Sequence, residues 1–219
     1  MIEAVLFDWT NTLVQFTWDD ELLVAGHRAA LGRDDSAFTA RYRDLMLGDA
    51  PQRPYADVLR ELGVDDPDAF IDAEHEVWRP AHAVLASAQA LLGSLRGRGV
   101  KTGVVANSWP EPPRVLRADA AAFGLAPLLD IMVFSEEVGA AKPQPQIFLH
   151  ALGRLGVEPV NAMFVGDRLE TDVQGAANLG MTTVQALWFT ADDSTVGIEP
   201  DFLAFTPMDV LNAVRRVAL

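Results

Sequence analysis

The sequence predicts an α/β protein built on a doubly wound parallel sheet, with an all-helical segment inserted near its start. Two observations predict the sheet. Beyond Pro80, short apolar runs alternate with helical patterns at regular spacing, the arrangement of parallel strands joined by helical crossovers. Residues 3–7, EAVLF, form one more such run, ending in Asp8. A third observation predicts the insertion. From Trp18 to about Trp78 the apolar residues recur only at three- and four-residue spacing, with no strand pattern among them.

Taken in order, EAVLF reads as a buried strand, followed by the turn-prone residues Trp9, Thr10, Asn11 and Thr12. WDDELLVAGHRAAL, SAFTARYRDLML, YADVLREL and PDAFIDAEHEVW then read as four helices, with breaks at GDAPQRP and DDPD. Residues 83–97 read as an apolar helix and 101–106, KTGVVA, as a strand. A helix follows at about 111–123, and IMVFS at 131–135 is a strand. PQPQIFLHALGRLG is a helix, AMFVG at 162–166 a strand, TDVQGAANLG a helix and TTVQALWF a strand. DFLAF and the helix PMDVLNAVRRVA close the chain. The expected division is residues 1–15 and 81–219 for the α/β core and 16–80 for the helical insertion.

The bulk properties narrow the function. The 219 residues suffice for one large core, or one core with a small accessory domain. Half are apolar and 22% charged, the balance of a folded soluble chain. No apolar run approaches the roughly 20 residues of a membrane helix, and the start, MIEAVLFDW, lacks the features of a signal peptide. A cytoplasmic protein is expected. With no cysteine, disulfides, thiolate chemistry and Cys-based zinc sites are excluded. His27, His75, His82 and His150 lack HExxH-type spacing, so no His-built metal site is expected. The net charge of −14 disfavours nucleic acid and anionic lipid as partners. A phosphate-handling site on such a chain needs a local positive element: a metal ion, a lysine or helix N-termini. Lys101 and Lys142 are its two lysines.

Open parallel sheets bind ligands at the carboxyl ends of their strands. The polar residues there are Asp8 and Thr10 after the first strand, Asn107 and Ser108 after the second, Lys142 near the helix after the third, and Asp167 after the fourth, with Asp172 five residues on. Any one aspartate alone is more commonly a helix cap or turn residue, and GDRLETD alone is an ordinary acidic helix start. Together, each at a strand end, they converge three carboxylates and a lysine, an oxygen-rich set suited to Mg²⁺. Trp9 and Trp109 flank these residues and are candidate site walls. Trp18, Phe38 and Trp78 of the insertion read as core aromatics rather than pocket lining, and His27, His75 and His82 as structural histidines.

The ordered set resembles the haloacid dehalogenase superfamily. FDWTNTLV at 7–14 looks like its first motif, KTGVVANS at 101–108 its second, AKPQPQIF at 141–148 its third and VGDRLETDVQGAANLGM at 165–181 its fourth. The resemblance spans residues 2 to about 190 and implies a Rossmann-like core, with the insertion as a helical cap domain. It implies a Mg²⁺-dependent hydrolase, acting on a small and most often phosphorylated molecule. By position, Asp8 is the covalent nucleophile. Mg²⁺ is held by Asp8, the Thr10 carbonyl and Asp167, with Asp172 nearby or acting through water. Lys142 steadies the nucleophile, and Asn107 or its N–H contacts the phosphoryl group.

Three positions depart from the family pattern. Thr10 stands where its phosphatases have the acid/base Asp, a function worth about 10²–10⁴-fold. Asn11 replaces Gly and tolerates positive φ. Ala106 replaces a Ser/Thr, with Ser108 as the candidate substitute if the strand runs on and turns it the same way. These departures keep two alternatives open. One is a dehalogenase-type hydrolase acting at carbon, which would hold a substrate carboxylate with an arginine such as Arg28, Arg41, Arg43 or Arg53. The other is a degenerate, non-catalytic relative.

Overall fold

In the computed structural model, residues 1–17, 19–46, 53–189 and 197–217 are described. Trp18 and most of the GDAPQRP break lie outside them. Six strands form one parallel sheet: β1 (Ala4–Phe7), β4 (Lys101–Ala106), β5 (Ile131–Phe134), β6 (Ala162–Gly166), β7 (Thr182–Ala186) and β8 (Phe202–Ala204). Their spatial order is β5-β4-β1-β6-β7-β8. Every neighbouring pair is parallel, with Phe7 opposite Val104 on one side and Val165 on the other. The chain leaves β1 to build outward on both sides, so the carboxyl end of β1 faces the crevice where ligands bind in such sheets.

Strands buried on both faces read as unbroken apolar runs, and every residue of β1 and β6 is buried. Alternation along β1 sends Val5 and Phe7 to one core and Ala4 and Leu6 to the other. The first core is closed by Leu91, Leu92 and Leu95 of α5 (Ala86–Arg96) and Val210 and Leu211 of α10 (Asp209–Val217). The second is closed by Ile147, Phe148, Leu152 and Leu155 of α8 (Pro145–Leu155).

The four expected helices of the insertion are present: α1 (Asp20–Leu31), α2 (Ser36–Met46), α3 (Tyr55–Glu61) and α4 (Pro67–Trp78). Asp19 and Asp66 cap the first turns of α1 and α4 by accepting from Leu22 N–H and Ala69 N–H. These helices share their own apolar cluster, which holds Phe38, Tyr42, Tyr55, Phe70 and Trp78 and reaches Val115 of α6 (Pro113–Ala122). Phe38 and Trp78 are therefore core.

Two strands were not anticipated. β2 (Val14–Phe16) and β3 (His82–Val84) pair antiparallel where the chain enters and leaves the insertion. Three residues each are too few to show a period, and their partners lie far apart in sequence. The helix expected from residue 83 accordingly begins at Ala86. A short α7 (Ser135–Val138) follows β5, and β7 ends at Ala186 rather than continuing through LWF. The helix expected over 171–180 is a π-type turn, Leu169–Val173, running into the single turn of α9 (Gln174–Ala177).

Helices α1 and α4 cross closely at Gly26. A Cβ there would lie 2.5 Å from the indole nitrogen of Trp78, which donates to Leu22 O at 3.2 Å. Gly26→Ala is expected to cost about 1–3 kcal/mol by overpacking, read as a lower urea midpoint with an unchanged slope.

Candidate active site

The sheet brings Asp8, Lys142, Asp167 and Asp172 together. Asp8 sits one residue beyond β1, its N–H donating to Val165 O at 2.9 Å. Lys142 Nζ donates to Asp8 Oδ1 at 2.5 Å and pairs with Asp172 Oδ1 at 2.7 Å. Its ammonium also lies 5.4 Å from the centroid of the Phe164 ring. Carboxylate atoms of Asp8, Asp167 and Asp172 lie within 4.8 Å of one another, and all four residues are buried.

Local devices place these groups. The π-type turn curls the chain so that Asp172 Oδ2 accepts from Arg168 N–H at 3.1 Å. Gly166 makes room beneath it, since a Cβ there would lie 2.5 Å from Asp172 Cβ and Cγ. Asn107 grips the backbone of Lys142 with both ends of its amide: Oδ1 accepts from Lys142 N–H at 2.8 Å and Nδ2 donates to Lys142 O at 3.1 Å. The resemblance implied that Asn107 or its N–H contacts the phosphoryl group, and the side chain itself is engaged in holding the lysine. Its 35-residue separation from Lys142 carries no sequence signal. Gly166 was legible only as part of the GD pair.

Asn11 adopts φ 56°, the left-handed conformation that Gly or Asn tolerates. Its side chain accepts from the N–H of Phe16, the last residue of β2, at 3.3 Å. Thr10 is half-buried and bridges to Val14. β4 ends at Ala106, so strand alternation does not extend to Ser108. The Ser108 hydroxyl accepts from Glu136 N–H at 3.2 Å and lies 3.4 Å from Ser135 Oγ. It joins the ends of β4 and β5. Trp9 is 1% exposed and belongs to the core under the loop, not to a site wall. Trp109 packs on Tyr42 and Tyr55 of the insertion, with ring centroids 5.9 and 5.3 Å away.

The electrostatics are those of a site short of positive charge. Burial works against the Lys142 ammonium, but Asp172 and Asp8 outweigh it and raise its pKa. Burial, reinforced by Asp8 and then Asp172, pushes Asp167 up to about 7. Burial also raises Asp172, against the pull of Lys142. Three carboxylates face one ammonium. The donor set is all oxygen, and the missing charge is that of one divalent cation, which fits Mg²⁺.

A family model described as haloacid dehalogenase-like hydrolase matches residues 2–180. The chain belongs to the haloacid dehalogenase-like hydrolases. It is 31% identical to the glyceraldehyde 3-phosphate phosphatase of Methanopyrus kandleri, over 100% of this chain and 99% of that one. Among solved structures, a haloacid dehalogenase-like phosphatase from Thermococcus onnurineus superposes with a TM-score of 0.76 at 26% identity, covering 97% and 98% of the two chains. A 2-haloacid dehalogenase from Pseudomonas syringae shares the fold, with a TM-score of 0.69 at 24% identity over 99% of each chain. This haloacid dehalogenase-like hydrolase has the expected parallel sheet core, and among its described residues no helix is long and apolar enough to cross a membrane.

Without metal, the raised Asp167 makes the folded state bind a proton that the unfolded chain releases near 3.8. Its contribution to stability is full below that value and falls as pH rises toward about 7. In EDTA, Asp167→Asn should lack this decline. Its stability relative to the parent should climb between about pH 4 and 7 and level off above, as read by urea denaturation across pH.

Proposed function

We propose that this chain is a Mg²⁺-dependent phosphatase of small phosphorylated metabolites, working through an aspartyl phosphate on Asp8. The observation that carries this reading is the buried triplet Asp8–Lys142–Asp172 with Asp167 beside it. The similarity to a glyceraldehyde 3-phosphate phosphatase along the whole chain supports it. Residues 16–80 serve as the cap that closes over the site and selects the substrate.

Lys142 holds Asp8 Oδ1 and leaves Oδ2 to attack. A bond forms from Oδ2 to phosphorus as the bond from phosphorus to the ester oxygen breaks, and the departing alkoxide takes a proton from solvent water, to which the later attacking water returns one. Water then attacks the aspartyl phosphate, freeing inorganic phosphate and restoring the carboxylate. Asn107 keeps Lys142 in register through both steps. Asp8, the Thr10 carbonyl and Asp167 would hold Mg²⁺, with Asp172 close by or acting through water, and the bound ion would supply charge neutralisation for the transferred phosphoryl group. Thr10 is a far weaker proton donor and acceptor than a carboxyl group, so turnover is slow. The four arginines considered for a substrate carboxylate are engaged at the exposed surface: Arg28 with Asp34, Arg43 with Asp20, Arg53 with Glu61, and Arg41 with the Glu61 carbonyl. That weighs against dehalogenation.

Hydrolysis of p-nitrophenyl phosphate should require Mg²⁺, cease in EDTA and return on adding the metal back. Asp8→Asn should reduce it to background. Activity that survives either treatment overturns the reading.

Thr10→Asp should raise kcat by about 10²-fold by restoring positioned acid–base help. No gain in a folded variant would favour a site that binds without turning over.

A further inference from the structure

A second set of titratable groups lies on the seam between the helical insertion and the core. His75 comes from α4 of the insertion. Glu111, in the loop that leads from Asn107 and Ser108 into α6, and Asp119, in α6 itself, come from the core. All three are buried. His75 Nε2 lies 3.0 Å from Asp119 Oδ1, and its Nδ1 lies 3.3 Å from Glu111 Oε1. His82 of β3, where the chain leaves the insertion, brings Nε2 within 3.1 Å of the same Glu111 oxygen and Nδ1 within 3.2 Å of the Trp78 carbonyl.

The His75 ring therefore faces a carboxylate at each nitrogen. A neutral imidazole carries one N–H and serves one of them, whereas the imidazolium serves both. Burial works against a proton on His75, but Asp119 and Glu111 outweigh it and raise its pKa to about 9. Burial likewise works against the Glu111 carboxylate, but His75 and His82 outweigh it and hold its pKa low. The groups on neighbouring elements leave this proton to His75. Glu74, beside it on α4, accepts from Tyr55 OH at 2.8 Å and lies 3.4 Å from His27 of α1, and burial keeps its pKa well up. Burial also raises Tyr42 of α2 and Tyr55 of α3 well above the phenol range, so neither ionises alongside His75. Further along the seam, Arg114 of α6 pairs with Asp72 and Asp68, one and two turns back from His75 on α4. Those pairs are exposed and screened by solvent, and hold α4 only weakly.

We propose that the proton on His75 is a latch that fastens the helical insertion to the core through Glu111 and Asp119. The latch is complete below the ordinary histidine value of 6.5 and is lost as pH rises through about 9. Once the proton leaves, two buried carboxylates face a ring that can satisfy one of them, and the desolvated one left over drives the seam apart. The β2–β3 ribbon remains as the hinge. The loop that carries Glu111 begins at Asn107, which grips Lys142, so the state of the seam reaches the strand ends. The latch is independent of the chemistry proposed for Asp8. A chain without phosphatase turnover could have it, and an active one could lack it.

The test reads a distance rather than turnover. The chain has no cysteine, so Ala69→Cys on α4 and His150→Cys on α8, both exposed, place one spin label on each side of the seam. The label separation should be narrow and constant between pH 6 and about 8. It should lengthen and broaden as pH rises through about 9, over the range in which imidazole NMR shows His75 losing its proton. In Asp119→Asn the amide oxygen still accepts from the His75 N–H, but the charge is gone. Titration and opening should then move down together, toward about 6.5. A separation that stays constant while His75 loses its proton overturns the latch, as does a His75 already neutral at pH 7. Loss of the near-ultraviolet circular dichroism before the separation changes overturns it too, because the whole fold has then given way instead of the seam. Where Asp119→Asn fails to fold, the parent decides: coincidence of the two transitions supports the latch, and their separation refutes it.

Discussion

Everything at the strand ends is arranged around one buried ammonium. Lys142 lies between Asp8 and Asp172 in a region from which water is largely excluded. Charges in such surroundings persist only when paired and held in good geometry. The amide of Asn107, the missing side chain of Gly166 and the π-type turn at Leu169–Val173 all supply that geometry. A single cation cannot balance three carboxylates, and Asp167 bears the shortfall as a proton affinity near neutrality. The same shortfall supports the proposed Mg²⁺.

Much of this was legible in the chain. Asp8 and Asp167 each follow an apolar run directly, and a run buried on both faces is a strong strand signal. The helical insertion was legible because apolar periodicity persists through four segments with polar breaks between them. Two of the misses depend on pairs remote in sequence. The β2–β3 ribbon joins residues on either side of the insertion. Asn107 meets a backbone 35 residues away. Trp9 looked like a wall because it adjoins Asp8, but the turn that follows β1 sends its ring into the core. The π-type turn escaped for a different reason, since five residues followed by the single turn of α9 are too few to tell a π-type from an α-helical period.

Fold and chemistry separate cleanly here. The same architecture is shared with a phosphatase and with a 2-haloacid dehalogenase, so the sheet alone does not choose between attack at phosphorus and attack at carbon. On the proposed function, the choice rests on a few side chains at strand ends, above all Thr10, and on which groups the insertion offers.

The short ribbon of β2 and β3 has a consequence for how such a chain can change over time. Val14 pairs with Val84 and Phe16 with His82, so the excursion through four helices starts and finishes at one fixed gate. Lengthening a closed loop costs little, about 0.6 kcal/mol for each doubling. The register of the central sheet is thus insulated from whatever lies beyond the gate. Helices there can be traded, lengthened or redecorated as a unit while Asp8 and Asp167 stay where β1 and β6 put them, so the strand ends keep their geometry whatever the excursion becomes.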